Sequence, residues 1–128
     1  MLKVEEDIPF VDKPWGYERL FAHSPHYMGK YIFIVSTHKT SRQYHQTRDQ
    51  TLYVLTGPLH LEIGPDEEGE IISIGLVTGE AYRIEPGVVH RYCAPESGDV
   101  ELIEVSTPHP QDIIRLEDDY GRILDFEA

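Results

Sequence analysis

Histidine is the residue type with the widest chemical scope in this sequence, because imidazole moves protons near neutral pH and is the commonest metal ligand. Seven histidines are present, and any one of them alone is most simply a surface residue. Two stand in a more informative context. Gln43 and His45 are two residues apart on a predicted strand, so both side chains leave the same face of it. Gln50 follows five residues later and His90 follows a Pro-Gly turn, so a barrel joining these hairpins would bring the four side chains together at its mouth.

The elements that must position these residues are β-strands. Short segments rich in Val, Ile, Tyr and Leu recur, each closed by Gly, Pro, Asp or Ser, which is typical of an all-β sandwich or barrel. The predicted strands cover 17–22, 27–36, 41–45, 50–56, 59–63, 71–76, 81–84, 90–93 and 100–106. Nine strands without crossover helices predict an antiparallel jelly roll or small barrel.

The chain length of 128 residues predicts one domain with one hydrophobic core, since two cores of half that size would each be marginal. We expect this domain to span 1–128, with its core over about 13–110. Residues 111–128 are more polar, and we expect them to form a C-terminal arm, with a short helix, that lies over the barrel.

The charge distribution limits the classes of partner. A net charge of −12 counts against nucleic acid and anionic membranes, both of which need a cationic surface. Residues 8–61, however, carry six Lys and Arg against three Asp and Glu. A small anionic ligand therefore remains compatible with this sequence.

The cysteine count and the N-terminus indicate the compartment. Cys93 is the only cysteine, which rules out an intrachain disulfide and a cysteine-rich zinc site. The first ten residues are acidic where a secretory signal needs a cationic region and then an apolar run. We therefore expect a cytoplasmic protein.

Three ordered motifs carry a resemblance to a known family. The segment QYHQTRDQ at 43–50 resembles the cupin variant QxHxxRxE, which marks type II phosphomannose isomerases and the isomerase half of mannose-1-phosphate guanylyltransferases. KPWGYE at 13–18 is similar to the opening motif of that group, and DIIRLEDDYGR at 112–122 is similar to its closing motif. The resemblance implies a cupin fold, a double-stranded β-helix or jelly-roll barrel. The 128 residues leave no room for the guanylyltransferase domain, so we expect no nucleotidyl transfer.

The resemblance also implies a ligand set for a divalent metal ion, which could be Zn, Mn, Ni, Co or Fe. The implied ligands are Gln43, His45, Gln50 and His90. The sequence departs from the family at Gln50, where the family has glutamate. An amide offers a neutral carbonyl and no charge, so this set should hold a divalent ion more weakly than the usual cupin set does.

The implied reaction is aldose–ketose isomerisation of a phosphorylated sugar, in which a metal ion polarises the carbonyl and a base moves the proton. The resemblance offers Arg48 and Arg115 for the phosphate, because a guanidinium binds two oxygens at once. Arg42 and Arg91 lie beside the motifs and are possible further contacts. The acid–base or other catalytic residue stays open, the candidates being Arg115, Glu104 and Asp118, together with Glu101.

Two other functions compete with the isomerase. One is a non-catalytic cupin that binds a sugar or another small ligand through a weakened metal site, which Gln50 favours. The other is an iron-dependent oxygenase, which two histidines and two amides fit poorly. The resemblance further implies a homodimer, although no interface is visible in the sequence.

Overall fold

The computed structural model describes residue 4 and residues 8–121, and this part of the chain is built of strands without a helix. It accordingly has no helix long and apolar enough to cross a membrane. The strands are β1 Phe10–Lys13, β2 Gly16–His23, β3 Met28–Ile34, β4 Arg42–Tyr44, β5 Gln50–Thr56, β6 Leu59–Ile63, β7 Ile72–Leu76, β8 Ala81–Ile84, β9 His90–Cys93, β10 Val100–Ser106 and β11 Ile114–Glu117. The predicted all-β jelly roll is confirmed.

The strands form two antiparallel sheets. One has six strands in the order β1-β2-β3-β10-β5-β8, and the other has five in the order β11-β4-β9-β6-β7. Side chains alternate between the two faces of each strand, so every second residue enters the core. In the register of the six-stranded sheet, Leu102 lies opposite Ile32 on one side and Val54 on the other, and all three are buried.

The same alternation appears on β6 of the second sheet. Leu59 and Leu61 are fully buried, while His60 between them is exposed, as the strand pattern predicts.

The conformation of the turn into β2 requires a glycine. Gly16 has a φ of 152°, and a Cβ there would lie 2.0 Å from the carbonyl oxygen of Phe33. The glycine of the opening motif therefore has a structural role.

Two strands were not expected from the sequence. β1 and β11 are four-residue edge strands, and the described part of the predicted arm, residues 111–121, contains no helix because Ile114–Glu117 pairs with β4. In that pairing Ile114 lies opposite Tyr44, and Arg115 lies opposite Gln43. The part of the predicted arm at 122–128 lies outside the described residues.

Ion pairs hold the arm to the second sheet. They involve Arg42 and Arg91, the two residues named above as possible further contacts to a phosphate. Arg42 donates to Glu62 at 2.7 Å and to Glu117 at 3.0 Å. Arg91 donates to the same Glu117 at 3.0 Å and to Asp119 at 3.0 Å. Both guanidinium groups are buried and are not among the residues that line the pocket described below, so a phosphate contact by either stays a prediction.

We predict that Glu117→Gln destabilises the fold, because it removes the carboxylate that two buried guanidinium groups share. Each arginine keeps a second carboxylate and Glu117 itself is largely exposed, so solvent screening should limit the loss to about 1 kcal/mol of unfolding free energy. Urea unfolding measures the change. Asp49→Asn is the matched control, since Asp49 pairs with the exposed Arg83. An equal shift in both variants would contradict this account of the arm.

Candidate functional site

A pocket of about 390 Å³ lies between the N-terminal strands, the inner faces of both sheets and the C-terminal arm. Its charged lining residues are Lys13, Lys30, Arg48, Arg115, Glu18 and Glu104. Lys30 and Glu18 neutralise each other at 3.3 Å. The cations that line the pocket also include Arg48 and Arg115, the two arginines expected from the sequence to bind a phosphate.

The structure brings the four predicted metal ligands together beside this pocket. Gln43 on β4 lies opposite His90 on β9 in the register, and Gln43 lines the pocket. The rings of His45 and His90 have centroids 5.3 Å apart, and Nε2 of Gln50 lies 3.4 Å from Nε2 of His90. His45, Gln50 and His90 are each at most 2% exposed. His45, Gln50 and His90 therefore lie together in the interior, and Gln43 is next to them in the register.

The hydrogen bonds of His45 fix its tautomer. Nδ1 lies 2.5 Å from the backbone carbonyl oxygen of Asp112, an acceptor, so Nδ1 carries the hydrogen. Nε2 is then an acceptor, and Nη2 of Arg48 donates to it at 2.8 Å. Burial, followed by the charge of Arg48 and the neighbouring His90, lowers the pKa of His45 to about 3. His45 is consequently neutral at physiological pH.

His90 belongs to a second chain of hydrogen bonds. Its Nδ1 donates to the carbonyl of Val88 at 3.0 Å, which leaves Nε2 facing the amide of Gln50. That amide also donates to the hydroxyl of Tyr92 at 3.0 Å, and Tyr92 donates to Glu104 at 2.7 Å. Burial lowers the pKa of His90, and burial together with the Glu104 carboxylate raises the pKa of Tyr92. The hydrogen bonds thus run from Val88 through His90, Gln50 and Tyr92 to the Glu104 carboxylate.

The loop between β4 and β5 is held by a residue whose role the sequence analysis missed. The carboxylate of Asp112 accepts hydrogen bonds from the backbone N–H groups of Gln46, Thr47 and Arg48, with N···O distances of 2.7–2.9 Å. Burial alone would raise the pKa of Asp112, but these N–H groups outweigh it and lower the pKa. Asp112 opens the closing motif, which was the available signal, although only the fold shows that it reaches this loop.

The donor set does not fit a divalent ion. None of Gln43, His45, Gln50 and His90 is a carboxylate, and Nε2 of each histidine already faces a protein N–H group. Within the part of the chain that the structure describes, no group of three or more His, Cys, Asp or Glu is placed to hold a metal. The metal site predicted by the resemblance stays a prediction.

The catalytic candidates separate by position. Glu104 and Arg115 line the pocket, and Glu104 is buried. Glu101 is three residues from Glu104 on β10 and points to the opposite face, where it accepts hydrogen bonds from Tyr31 and Thr56. Asp118 follows β11 and is not among the residues that line the pocket.

Comparison with known proteins supports the architecture. The family model described as "Cupin domain" matches residues 29–106. None of the curated proteins is similar enough in sequence to count as a relative. The family match covers β3 to β10 and includes Gln43, His45, Gln50 and His90.

Three solved structures illustrate the likeness. KdgF from Halomonas sp. is 22% identical with a TM-score of 0.67, and the match covers 79% of this chain and 88% of KdgF. An RmlC-like cupin from Shewanella frigidimarina is 19% identical with a TM-score of 0.69, covering 85% and 91%. The capsular polysaccharide assembling protein CapF from Staphylococcus aureus is 17% identical with a TM-score of 0.78; the match covers 88% of this chain but 35% of CapF. At these identities the likeness shows the fold.

We predict that Asp112→Asn loosens the loop at 45–48, because a neutral amide oxygen accepts backbone N–H groups more weakly than a carboxylate does. Amide hydrogen exchange at Gln46, Thr47 and Arg48 should accelerate at least several-fold. Asp66→Asn is a matched control, since Asp66 accepts two backbone N–H groups in the distant hairpin loop. Unchanged exchange at 46–48 in Asp112→Asn would contradict the role of Asp112.

We predict that the fold loses stability as the pH falls below about 6.5, the pKa of histidine in an unfolded chain. The folded-state pKa values of His45 and His90 are lower, so the unfolded chain binds protons first and the unfolding free energy decreases. For His45 this loss continues to about pH 3. Unfolding midpoints across this pH range measure the slope. His45→Gln should flatten it relative to a matched change at the exposed His60, and an unaltered slope would contradict the assignment.

Proposed function

This chain belongs to the cupin family, and we propose that its pocket binds a phosphorylated sugar and interconverts the aldose and ketose forms of that sugar. The three motifs shared with type II phosphomannose isomerases support this proposal, with mannose 6-phosphate as the first substrate to test. The observation that carries it is the pocket lining, which combines a buried carboxylate, Glu104, and a buried guanidinium, Arg48, with two half-buried cations, Lys13 and Arg115.

The phosphate would bind at the outer part of the pocket. Arg115 and Lys13 both line the pocket and are only half-buried, whereas Arg48 is buried. Two cations near the entrance suit a dianionic phosphate, and the planar donors of Arg115 can bind two of its oxygens at once. This arrangement directs the sugar carbons toward the interior.

Glu104 is the residue best placed to move the proton. Its carboxylate would take a proton from the hydroxyl-bearing carbon next to the carbonyl, and the electron pair would move into the carbonyl oxygen to give an enediolate. Arg48 would stabilise that oxyanion with its N–H groups in the buried part of the pocket. Glu104 would return the proton to the neighbouring carbon while the hydroxyl proton passes between the two oxygens, so the product is an isomer of the substrate.

Three earlier expectations stay predictions. A divalent ion on Gln43, His45, Gln50 and His90 is implied by the resemblance, but the donor set speaks against it and the steps above do not use one. The homodimer follows from the resemblance alone. The cytoplasmic location likewise stays an expectation.

A second candidate function is binding of the same ligand without turnover. The observation that favours it is Gln50, which stands where the resembled family has glutamate and which donates a hydrogen bond to Tyr92. The two candidates predict the same ligand and differ only in whether the bound sugar is converted.

We predict turnover of at least one hexose or pentose phosphate, and a loss of about 100-fold or more in Glu104→Gln, since general base catalysis contributes about that much. The carboxamide keeps the shape of Glu104, so binding should remain. A coupled assay over a panel of sugar phosphates measures turnover, and calorimetry measures binding. Glu101→Gln is the matched control, because Glu101 lies on the same strand but faces outward.

The results of these measurements distinguish the two candidate functions. Arg115→Gln should weaken binding of the phosphorylated sugar and leave the affinity for the unphosphorylated sugar unchanged. Binding without turnover would support the non-catalytic function and overturn the isomerase. Absence of binding across the whole panel would overturn both.

A further inference from the structure

We infer that a guanidinium takes the place of the divalent ion in this cupin: Arg48 and Gln50 satisfy the two imidazoles, and their remaining polar atoms bind an α-hydroxycarbonyl group of the ligand. The identity of this ligand rests on the proposed function, whereas the exclusion of the metal does not. The inference is carried by the hydrogen bonds around His45 and His90 and by two unpartnered buried atoms.

Arg48 occupies the lone pair that a metal would need on His45. Nδ1 of that ring is committed to the carbonyl of Asp112, so Nε2 is its one ligating atom, and Nη2 of Arg48 donates to it at 2.8 Å. The backbone of Arg48 is itself held by the Asp112 carboxylate at 2.9 Å. A divalent cation would have to displace this fixed cation and then tolerate its repulsion at short range.

Gln50 is the residue type that the second histidine needs in this arrangement. Nε2 of His90 is an acceptor, and the Gln50 amide supplies an N–H group to it and another to the oxygen of Tyr92. A carboxylate at position 50 could supply neither group and would add a negative charge near Glu104, to which Tyr92 donates. The departure from the family's glutamate thus completes a hydrogen-bonded network instead of leaving a defective metal site.

Two buried atoms of this network could take up a ligand contact, and the residue that carries one of them, Arg48, lines the pocket. Nε of Arg48 and Oε1 of Gln50 are buried and have no hydrogen-bond partner among the described residues. Arg48 and Gln50 are only 3% and 2% exposed. A buried polar atom without a hydrogen-bond partner lowers the stability of the fold until a partner is supplied. The first atom is a donor and requires an acceptor, and the second is an acceptor and requires a donor. A carbonyl with a neighbouring hydroxyl group offers both, which is the reacting unit of an aldose or ketose.

The test compares metal binding in the native chain and two variants, using Zn²⁺, Mn²⁺, Co²⁺ and Ni²⁺ alone in calorimetry and elemental analysis of the purified proteins. We expect the native chain to purify with substoichiometric metal and to show no stoichiometric binding. Gln50→Glu should gain little, because Arg48 still occupies His45. Gln50→Glu combined with Arg48→Met should bind one ion, with an affinity at least about 100-fold above that of the native chain.

Stoichiometric metal in the native chain would overturn the inference, and so would a full gain of affinity in Gln50→Glu alone. Thermal unfolding shows whether the double variant folds. If it does not, Arg48→Lys with native Gln50 replaces it: a lysine cannot keep both the bond to His45 and the contact to the ligand, so affinity for the sugar phosphate should fall at least about tenfold. Unchanged affinity in that variant would overturn the role of Arg48 in ligand binding.

The proposed function and this inference fail separately. Metal content is measured without substrate, so exclusion of the metal can be confirmed in a protein that turns over no sugar. Conversely, an isomerase that requires an added divalent ion would support the proposed function and contradict this inference.

Discussion

The site depends on the carboxylate of Asp112, which accepts three successive backbone N–H groups of the loop between β4 and β5. The backbone carbonyl of the same residue accepts a hydrogen bond from Nδ1 of His45. One residue of the arm therefore sets both the loop conformation and the tautomer of the histidine. Since the tautomer decides which nitrogen can accept, Asp112 also determines that Arg48 can donate to Nε2 of His45.

The arm can impose this constraint because it is fastened on both sides of β11. Asp112 binds the loop before the strand, and Glu117 binds the buried guanidinium groups of Arg42 and Arg91 at its end. Between these two anchors the register places Arg115 opposite Gln43, and both line the pocket. The acidic C-terminal segment thus positions a cation for the ligand, while much of the basic stretch at 8–61 either lines the pocket or is neutralised by the arm.

Alternation of apolar and polar residues was sufficient to predict most of the fold. Five of the nine predicted strands have the observed bounds, and the core residues of β6 follow from the period of two. The edge strands β1 and β11 could not be predicted in this way, because they are short, mostly polar and defined by their partners. Motif spacing likewise predicted that His45, Gln50 and His90 lie close together. It could not show that Arg42 and Arg91 bind Glu117, or that Glu101 faces outward, since those facts depend on contacts between residues distant in sequence.

The central claim, that protein N–H groups and not a metal ion face the two buried imidazoles, can be tested on the imidazole nitrogens themselves. Long-range ¹H–¹⁵N correlation spectra of the labelled protein report the tautomer of His45 and His90 and the environment of each Nε2. The account predicts that both rings carry hydrogen on Nδ1 at neutral pH and that neither Nε2 shift changes when Zn²⁺ is added. Hydrogen on Nε2 of either ring, or a Zn²⁺-dependent shift of either Nε2 signal, would contradict it.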